Sequence, residues 1–223
     1  MPADMGPQPR PALLVLAGIN GAGKSSVAGA SLRASGLDYY NPDEATHRLR
    51  DTGIAAGDAN AAAWLHGRRA LEAAIADRTP FAFETTLGGN TMPMLIAKAA
   101  ATHEVTLWFV GLDSVERHLA RVAARVVAGG HDIPAAKIHQ RWDSARRNLI
   151  ALMPYLHELR VYDNSIDQAS ADDAEPVLLL HLREGRIIAP GARALRNTPD
   201  WAKAVVEAAR RLPAAPPLRD QTL

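Results

Sequence analysis

Short apolar runs alternate with longer amphipathic segments along the chain. Residues 12–18 and 105–112 are continuous apolar runs, which is typical of strands buried on both faces of a parallel sheet. Further strands are predicted at residues 37–43, 81–86 and 158–163, and a hairpin at residues 177–182 and 186–189. Helices are predicted at residues 23–33, 58–78, 92–102, 114–128, 134–150 and 199–211. This alternation predicts an α/β fold, a parallel sheet with helices on both faces and a small C-terminal hairpin.

The two ends of the chain differ from the alternating body. Residues 1–11 and 213–223 are rich in proline and carry no periodic pattern, so we expect flexible tails there. The 223-residue chain is long enough to bury a core without disulfides or a structural metal. We therefore expect one domain over residues 12–212.

Composition narrows the classes of function. The chain has no cysteine, which excludes disulfides and thiolate sites, and its eight histidines show no metal-ligand spacing. The 25 basic and 24 acidic residues give a net charge of +1, which favours neither nucleic acid nor membrane as a partner. No apolar run approaches the ~20 residues of a membrane span, and no signal-peptide pattern opens the chain. We expect a cytoplasmic protein.

A phosphate-binding motif follows the first predicted strand. Residues 18–25 read G-I-N-G-A-G-K-S and match G-x-x-x-x-G-K-[ST] at every fixed position. Glycines let backbone N–H groups surround phosphate oxygens, Lys24 can reach the β- and γ-phosphates, and the Ser25 hydroxyl can ligate Mg²⁺. We therefore expect ATP and Mg²⁺ to bind here. The predicted nucleotide-binding residues are Gly18, Asn20, Gly21, Ala22, Gly23, Lys24, Ser25 and Ser26.

Motifs of other nucleotide-binding classes do not occur in the sequence. A GTPase needs an Asn-Lys-x-Asp element, and motor or AAA-type ATPases usually carry four apolar residues followed by Asp-Glu. Small P-loop kinases instead place acceptor-binding residues after the second and third strands and arginines in a lid. The sequence offers candidates for each of these positions.

Two carboxylates are predicted at the carboxyl ends of strands, where ligands of open α/β sheets bind. Asp43 ends the second predicted strand, and we interpret it as the base that accepts the acceptor's proton. A helix N-cap is the alternative for Asp43, and the two roles are compatible. Glu84 ends the third strand, where it could hold the Mg²⁺ shell or bind the acceptor. Thr85, Thr86 and Asn90 add polar groups beside it.

Arginines flank a glycine-rich loop at residues 129–134. On the preceding helix, Arg117 lies opposite the apolar face, whereas Arg121 and Arg125 lie progressively closer to it. On the following helix, Arg141 flanks the apolar face and Arg147 points away. This pattern predicts a helical lid in which Arg125 and Arg141 neutralise charge during phosphoryl transfer. A solvated charged face is the alternative, and we assign Arg117 and Arg147 to it.

These motifs together resemble the zeta-toxin-like P-loop kinases. The resemblance runs over about residues 13–165 and is carried by LAGINGAGKSS, NPDE, FAFETTLGGN, RVAARVVAGGHDIPAAKIHQRW with the following NL, and RVYDNS. It implies a kinase that transfers the γ-phosphoryl group of ATP to the 3′-hydroxyl of a UDP-N-acetyl amino sugar. It also implies an antitoxin protein as a partner.

The resemblance assigns roles by position. Lys24 and Ser25 match the phosphate-loop residues, Asp43 matches the proposed base, and Glu84 and Thr86 match an E-x-T motif on the substrate side. From the chemistry of the motifs, we expect Lys24 to act in catalysis and Ser25 with Glu84 to form the metal site. Arg125 and Arg141 resemble the γ-phosphate arginines, with Arg121 as the alternative to Arg125. The predicted substrate-binding residues are Glu84, Thr85, Thr86, Asn90, Arg121 and His131.

Alternatives remain for the function. The acceptor could instead be a nucleoside, a simple sugar or an antibiotic, because the sugar-nucleotide contacts of the known toxins are not matched outside the E-x-T motif. A nucleotide-binding regulatory module without an acceptor is a further alternative. Asp43 separates the two classes, since a switch needs no base beside an acceptor pocket.

Overall fold

One seven-stranded sheet runs through the described part of the computed structural model, which comprises residues 9–25, 27, 36, 39–130, 132–166 and 175–213. The strands are β1 (Ala12–Ala17), β2 (Tyr39–Tyr40), β3 (Phe81–Thr85), β4 (Glu104–Gly111), β5 (Glu158–Asp163), β6 (Val177–Arg183) and β7 (Arg186–Ala189). They lie in the order β2-β3-β1-β4-β5-β6-β7. The first five are parallel, and β6 and β7 form an antiparallel hairpin at one edge. The predicted α/β fold with a C-terminal hairpin is confirmed.

Helices flank the sheet. In the described residues they are α1 (Pro42–Asp51), α2 (Ala56–Asp77), α3 (Thr91–Ala99), α4 (Val115–Val127), α5 (Ala135–Leu152), α6 (Ala192–Leu195) and α7 (Asp200–Arg210), with a 3₁₀ turn at Met153–Tyr155. None of the helices described is long and apolar enough to cross a membrane. Most of the predicted helix at residues 23–33 and of the predicted tails lies outside the described residues, as do Ser26 and His131.

Strand β1 lies between β3 and β4 and is buried on both faces, which explains its continuous apolar run. Leu13 and Val15 belong to the main core beneath the helices, whereas Leu16 packs with Ala22 and Val110 in a second cluster. The core therefore fixes the strand that leads directly into the phosphate-binding motif.

Gly18 turns the chain away from the sheet immediately after β1. Its φ of +144° and the space around it both require glycine, because a Cβ atom there would lie 2.3 Å from the carbonyl oxygen of Val110. Its backbone N–H donates to the carbonyl of Thr85 at the end of β3. The phosphate loop is thereby held at the carboxyl edge of the sheet.

The second strand ends earlier than the predicted residues 37–43. Its described residues, Tyr39–Tyr40, pair with β3, and α1 already begins at Pro42. Residues 37 and 38 lie outside the described part of the chain. The side-chain oxygen of Asn41 accepts hydrogen bonds from the backbone N–H groups of Asp43 and Glu44, so Asn41 is the N-cap. Asp43 consequently lies in the first turn of a helix, one turn beyond the strand end, and is not itself the cap.

The predicted lid consists of α4, α5 and the segment that joins them. Helix α5 is fastened to the loop after β3: Ser144 Oγ donates to the carbonyl of Gly88 at 2.9 Å. Asn148 Nδ2 donates to the carbonyls of Leu87 at 2.6 Å and Gly89 at 3.0 Å. The lid helix and the carboxyl ends of the strands therefore face each other across the same edge of the sheet.

Candidate active site

The phosphate loop has the curled backbone that its motif predicts. Gly21 and Gly23 adopt φ values of +80° and +81°, a region that favours glycine. A Cβ atom at Gly23 would also lie 2.4 Å from Asn164 Nδ2, which donates to the carbonyl of Ala22 at 2.9 Å. The loop is thus braced by the chain that follows β5, with Lys24 half-buried and Ser25 exposed.

Glu84 is buried at the end of β3, with 7% of its surface exposed, and it gathers three elements around one oxygen. Its Oε1 accepts hydrogen bonds from Ser25 Oγ at 2.9 Å, from Asn41 Nδ2 at 3.2 Å and from the Tyr39 hydroxyl. A buried carboxylate requires such donors, because its desolvation is otherwise costly. Glu84 therefore joins the phosphate loop to the ends of β2 and β3.

The Ser25–Glu84 pair fits a Mg²⁺ site of the P-loop kind. A hydroxyl and a carboxylate are the hard oxygen ligands that Mg²⁺ prefers, and this ion keeps several waters and phosphate oxygens in its shell. The two oxygen ligands from the protein are therefore sufficient for a Mg²⁺ site. No group of three or more metal-binding His, Cys, Asp or Glu side chains occurs among the described residues.

Asp43 and the lid meet directly. Arg125 Nη1 lies 3.3 Å from Asp43 Oδ2, although the two residues are far apart in sequence. Both side chains are partly exposed, so the ion pair contributes only about 0.2–1 kcal/mol to stability. The contact matters for geometry, because it places a lid arginine on the carboxylate predicted to be the base.

Arg141 reaches the phosphate loop from the other lid helix. Its Nη1 donates to Asn20 Oδ1 at 2.5 Å. Burial lowers the pKa of Arg141, and the nearby Asp43 carboxylate raises it. Asp43, Arg125 and Arg141 therefore form one charged group beside the phosphate loop.

Asp43 lies between two cavities. One, of about 600 Å³, is lined by Ser25, Asp43 and Arg125 together with the first turns of α1. The other, of about 440 Å³, lies over the carboxyl ends of the strands and is also lined by Asp43. A single carboxylate thus borders both a cavity that reaches Ser25 of the phosphate loop and a strand-side cavity over the carboxyl ends of the strands.

The strand-side cavity combines a polar floor with an apolar wall. Glu84, Thr85 and Thr86 lie on the floor, Arg141 on the lid side, and Phe83, Trp64 and Met92 on the wall. Thr85 Oγ1 and Thr86 Oγ1 accept hydrogen bonds from the N–H groups of Leu87 and Gly88, so they also shape the turn after β3. Asn90 precedes α3 and is not among the lining residues.

Arg121, Arg117 and Arg147 lie outside the group formed by Asp43, Arg125 and Arg141. Arg121 Nη2 donates to the carbonyls of Asn164 at 2.8 Å and Ile166 at 3.2 Å, which places it beside the phosphate loop and not at the strand-side cavity. Arg117 pairs with Asp113 at 2.9 Å, and Arg147 is exposed.

Several contacts of the site have no signal in the sequence pattern. Tyr39 and Asn41 hold Glu84 across more than forty residues of chain, and only the Asn-Pro-Asp-Glu start of α1 hints at Asn41 as a cap. His118 is buried on the apolar face of α4, and its Nδ1 donates to the backbone carbonyl of Asn20 at 2.8 Å. An isolated histidine on an apolar face does not by itself reveal such a contact.

Comparison with known proteins shows which solved structures share the fold of this chain. No protein-family model and no curated protein matches the sequence. Among solved structures, the AvrRxo1-ORF1:ORF2 complex with ATP matches at 18% identity and a TM-score of 0.61 over 96% of this chain and 68% of the other. The fold is that of the P-loop kinases. The resemblance to the zeta-toxin-like kinases is confirmed at the level of the fold.

Two further structures agree. The AvrRxo1-ORF1:ORF2 complex with sulphate ions matches at 19% identity and a TM-score of 0.61 over 86% of this chain. The match covers 65% of the other chain, so this chain spans less than two thirds of its length. The PezAT toxin–antitoxin system of Streptococcus pneumoniae matches at 13% identity and a TM-score of 0.54, over 92% of this chain and 84% of the other.

Proposed function

We propose that this protein is an ATP- and Mg²⁺-dependent kinase that transfers the γ-phosphoryl group to a hydroxyl of a small molecule. The observation that carries the proposal is the position of Asp43 between the two cavities. A nucleotide-binding switch needs a phosphate loop but no second cavity bordered by a carboxylate. A kinase needs both, because the acceptor's hydroxyl must meet the γ-phosphorus in line.

The phosphate side is formed by Lys24, Ser25 and the loop backbone. Lys24 contributes positive charge to the β- and γ-phosphates, and the loop N–H groups orient them. When bound, Mg²⁺ held by Ser25, and through water by Glu84, would neutralise phosphate charge. The hydrogen bond between Ser25 and Glu84 supports this assignment, since it places both oxygens together.

On the acceptor side, Asp43 accepts the proton of the attacking hydroxyl. Its carboxylate forms an ion pair with Arg125, which brings a lid arginine to the proposed base. Arg125 and Arg141 neutralise the charge that develops as the phosphoryl group leaves ATP. Both lie within reach of Asp43 or the phosphate loop in the structure.

A UDP-N-acetyl amino sugar is the acceptor that the zeta-toxin resemblance suggests, and another small hydroxyl compound is the alternative. The strand-side cavity supports a small-molecule acceptor by its volume of about 440 Å³ and its mixed lining. An antitoxin partner belongs to the same proposal, and the similar structures of a toxin–antitoxin system and of the AvrRxo1 complex support it.

Nucleotide binding is tested by Lys24→Ala, with Lys203→Ala as the control. Lys203 pairs with Asp200 on the surface of α7, away from the phosphate loop. We expect Lys24→Ala to weaken Mg²⁺-ATP binding about 10- to 100-fold by calorimetry, because a charged contact is lost. Lys203→Ala should bind like the wild type. Equal affinities for Lys24→Ala and the wild type would contradict the phosphate-loop assignment.

A further inference from the structure

Three side chains from different elements meet in series at the phosphate loop. His118 on α4 donates from Nδ1 to the backbone carbonyl of Asn20 at 2.8 Å. The side-chain Oδ1 of the same Asn20 accepts from Arg141 Nη1 on α5 at 2.5 Å. Asn20 therefore accepts a hydrogen bond from His118 at its backbone carbonyl and another from the lid arginine at its side-chain oxygen.

The chemistry of the groups fixes the direction of both bonds. A carbonyl only accepts, so the proton of the neutral His118 ring is on Nδ1. A guanidinium only donates, so the amide oxygen of Asn20 faces Arg141. His118 is 1% exposed and Asn20 is 6% exposed, so water competes little for either bond. The donor atom and the acceptor atom of both hydrogen bonds are thus defined.

Packing holds the same three elements together. A Cβ atom at Gly21 would lie 2.8 Å from the backbone oxygen of His118, which shows how closely α4 approaches the loop. The His118 ring makes an edge-to-face contact with Trp142, next to Arg141 on α5, at 5.5 Å between ring centres. His118 therefore contacts α5 by its ring and the phosphate loop by its donor.

His118 is neutral in this environment. Its pKa is lowered to about 4, chiefly by burial; the hydrogen bond to Asn20 raises the pKa, and the nearby charges of Lys24 and Arg121 lower it. The ring therefore donates a hydrogen bond without carrying a positive charge beside the phosphate loop.

We propose that His118 and Asn20 are positioning residues that orient Arg141 for phosphoryl transfer, with His118 fixing Asn20 and Asn20 holding the guanidinium. The inference rests on the proposed kinase function and adds to it a positioning role for two residues, of which Asn20 also lines the strand-side cavity. An arginine side chain has many rotamers, and one bond from Asn20 restricts them while leaving four of its five N–H donors available for phosphate. Misplacement of such a group costs up to about 100-fold in rate.

Two substitutions at one position separate the hydrogen bond from the packing. His118→Asn keeps an N–H donor close to the Nδ1 position and removes most of the ring. His118→Phe keeps a ring against Trp142 and removes the donor. With Mg²⁺-ATP turnover to free phosphate as the readout, we expect His118→Phe to lower kcat roughly 10- to 100-fold with little change in the KM for ATP. His118→Asn should retain most of the wild-type kcat.

Because the two hydrogen bonds act in series, the effects of the two substitutions on kcat should not be additive. Asn20→Ala should lower kcat about as much as His118→Phe, and the double variant should lose no more than either alone, because both remove the same orientation of Arg141. The inference is overturned if His118→Phe turns over ATP like the wild type, or if both His118 variants lose kcat equally while melting like the wild type.

A readout without catalysis keeps this test separate from the kinase proposal. Amide hydrogen exchange of residues 132–141 in the nucleotide-free protein should be faster in His118→Phe and Asn20→Ala than in the wild type, and unchanged in His118→Asn. Equal exchange in all four proteins would overturn the inference. A wild type that neither binds nor turns over Mg²⁺-ATP would instead overturn the kinase function, whatever the exchange result.

Discussion

Two carboxylates at this edge of the sheet lie in different surroundings, which suit them to different roles. Glu84 is buried, and one of its oxygens accepts three hydrogen bonds, so it is suited to anchor neighbouring groups. Asp43 lies in the first turn of α1 with about half of its side chain exposed to the cavities (48%). Accessibility of this kind is what a base that meets an exchangeable acceptor requires.

Asp43→Asn tests the base. Asparagine has the same size but cannot take the acceptor's proton, so phosphotransfer should fall by ~10²–10⁴. Binding of Mg²⁺-ATP by calorimetry should persist, because Asp43 is not part of the phosphate loop. Transfer at the wild-type rate would show that Asp43 is no more than a residue of the helix start.

The lid arginines are tested by Arg125→Ala and Arg141→Ala, with Arg117→Ala as the control. Arg117 is on the same helix as Arg125 but pairs with Asp113 outside the site. Each lid substitution should lower kcat about 10³-fold or more and change the KM for ATP much less, because the arginines act on charge that develops during transfer. Arg→Lys should restore only part of the rate, since lysine lacks the planar fork.

Equal kinetic effects of Arg117→Ala and Arg125→Ala would contradict this account. The arginines of α4 would then form a solvated surface only.

His118 makes the stability of the protein depend on pH. Its pKa falls from the ordinary 6.5 to about 4 in the folded state, chiefly through burial. The unfolded chain therefore binds the proton first as pH falls, and stability is lost from about pH 6.5 down to about pH 4, by roughly 3 kcal/mol in total. Urea unfolding at pH 7.5 and pH 4.5 should show a smaller loss for His118→Asn than for the wild type. Equal losses would contradict the burial of a neutral His118.

At the scale of elements, the position of the lid helix depends on the loop after β3. Ser144 and Asn148 of α5 donate to backbone carbonyls of that loop, and Arg141 packs against Gly88. A helix that is hydrogen-bonded to the loop after β3 keeps its arginine at the site.

Gly88→Ala and Gly89→Ala form a matched pair for this contact. A Cβ atom at Gly88 would lie 2.4 Å from Arg141 Cγ, whereas a Cβ atom at Gly89 meets nothing within 4 Å. We expect Gly88→Ala to displace Arg141 and lower kcat about 10- to 100-fold, and Gly89→Ala to behave like the wild type. Comparable rates for the two variants would show that the Gly88–Arg141 contact does not position the lid.

The elements themselves were largely predictable. Buried parallel strands such as β4 carry continuous apolar runs, and amphipathic helices such as α4 carry apolar residues at helical spacing, so local patterns sufficed. Strand β2 was predicted too long, because Pro42 and the Asn41 cap start α1 within the predicted strand. A capping signal and a strand signal overlapped there, and the cap determined the structure.

The site was predictable only in part. The phosphate loop follows from a local motif, and arginine spacing on α4 distinguished Arg125 from Arg117. The bonds from Tyr39 and Asn41 to Glu84, and from His118 to Asn20, join residues that are distant in sequence. Such contacts depend on how the sheet brings strand ends together, which no local pattern contains.

At the scale of the whole molecule, strand order assembles the site. Strand β1 lies between β3 and β4, so the phosphate loop emerges beside the Glu84 loop on one side and the start of the lid on the other. Asp43 arrives from β2 at the edge of the sheet, next to β3. One edge therefore brings together the phosphate-loop motif, the proposed base Asp43 and the helices of the predicted lid, which is the arrangement on which the kinase proposal depends.

The most direct test is transfer of labelled phosphate in a metabolite extract. The protein is incubated with ATP labelled at the γ-phosphate, Mg²⁺ and small molecules extracted from cells, and the products are separated. We predict that the wild type moves the label onto a small molecule, whereas Asp43→Asn and Lys24→Ala leave it on ATP. Label found only on ATP or free phosphate with the wild type, or equal transfer by Asp43→Asn, would contradict the proposed kinase.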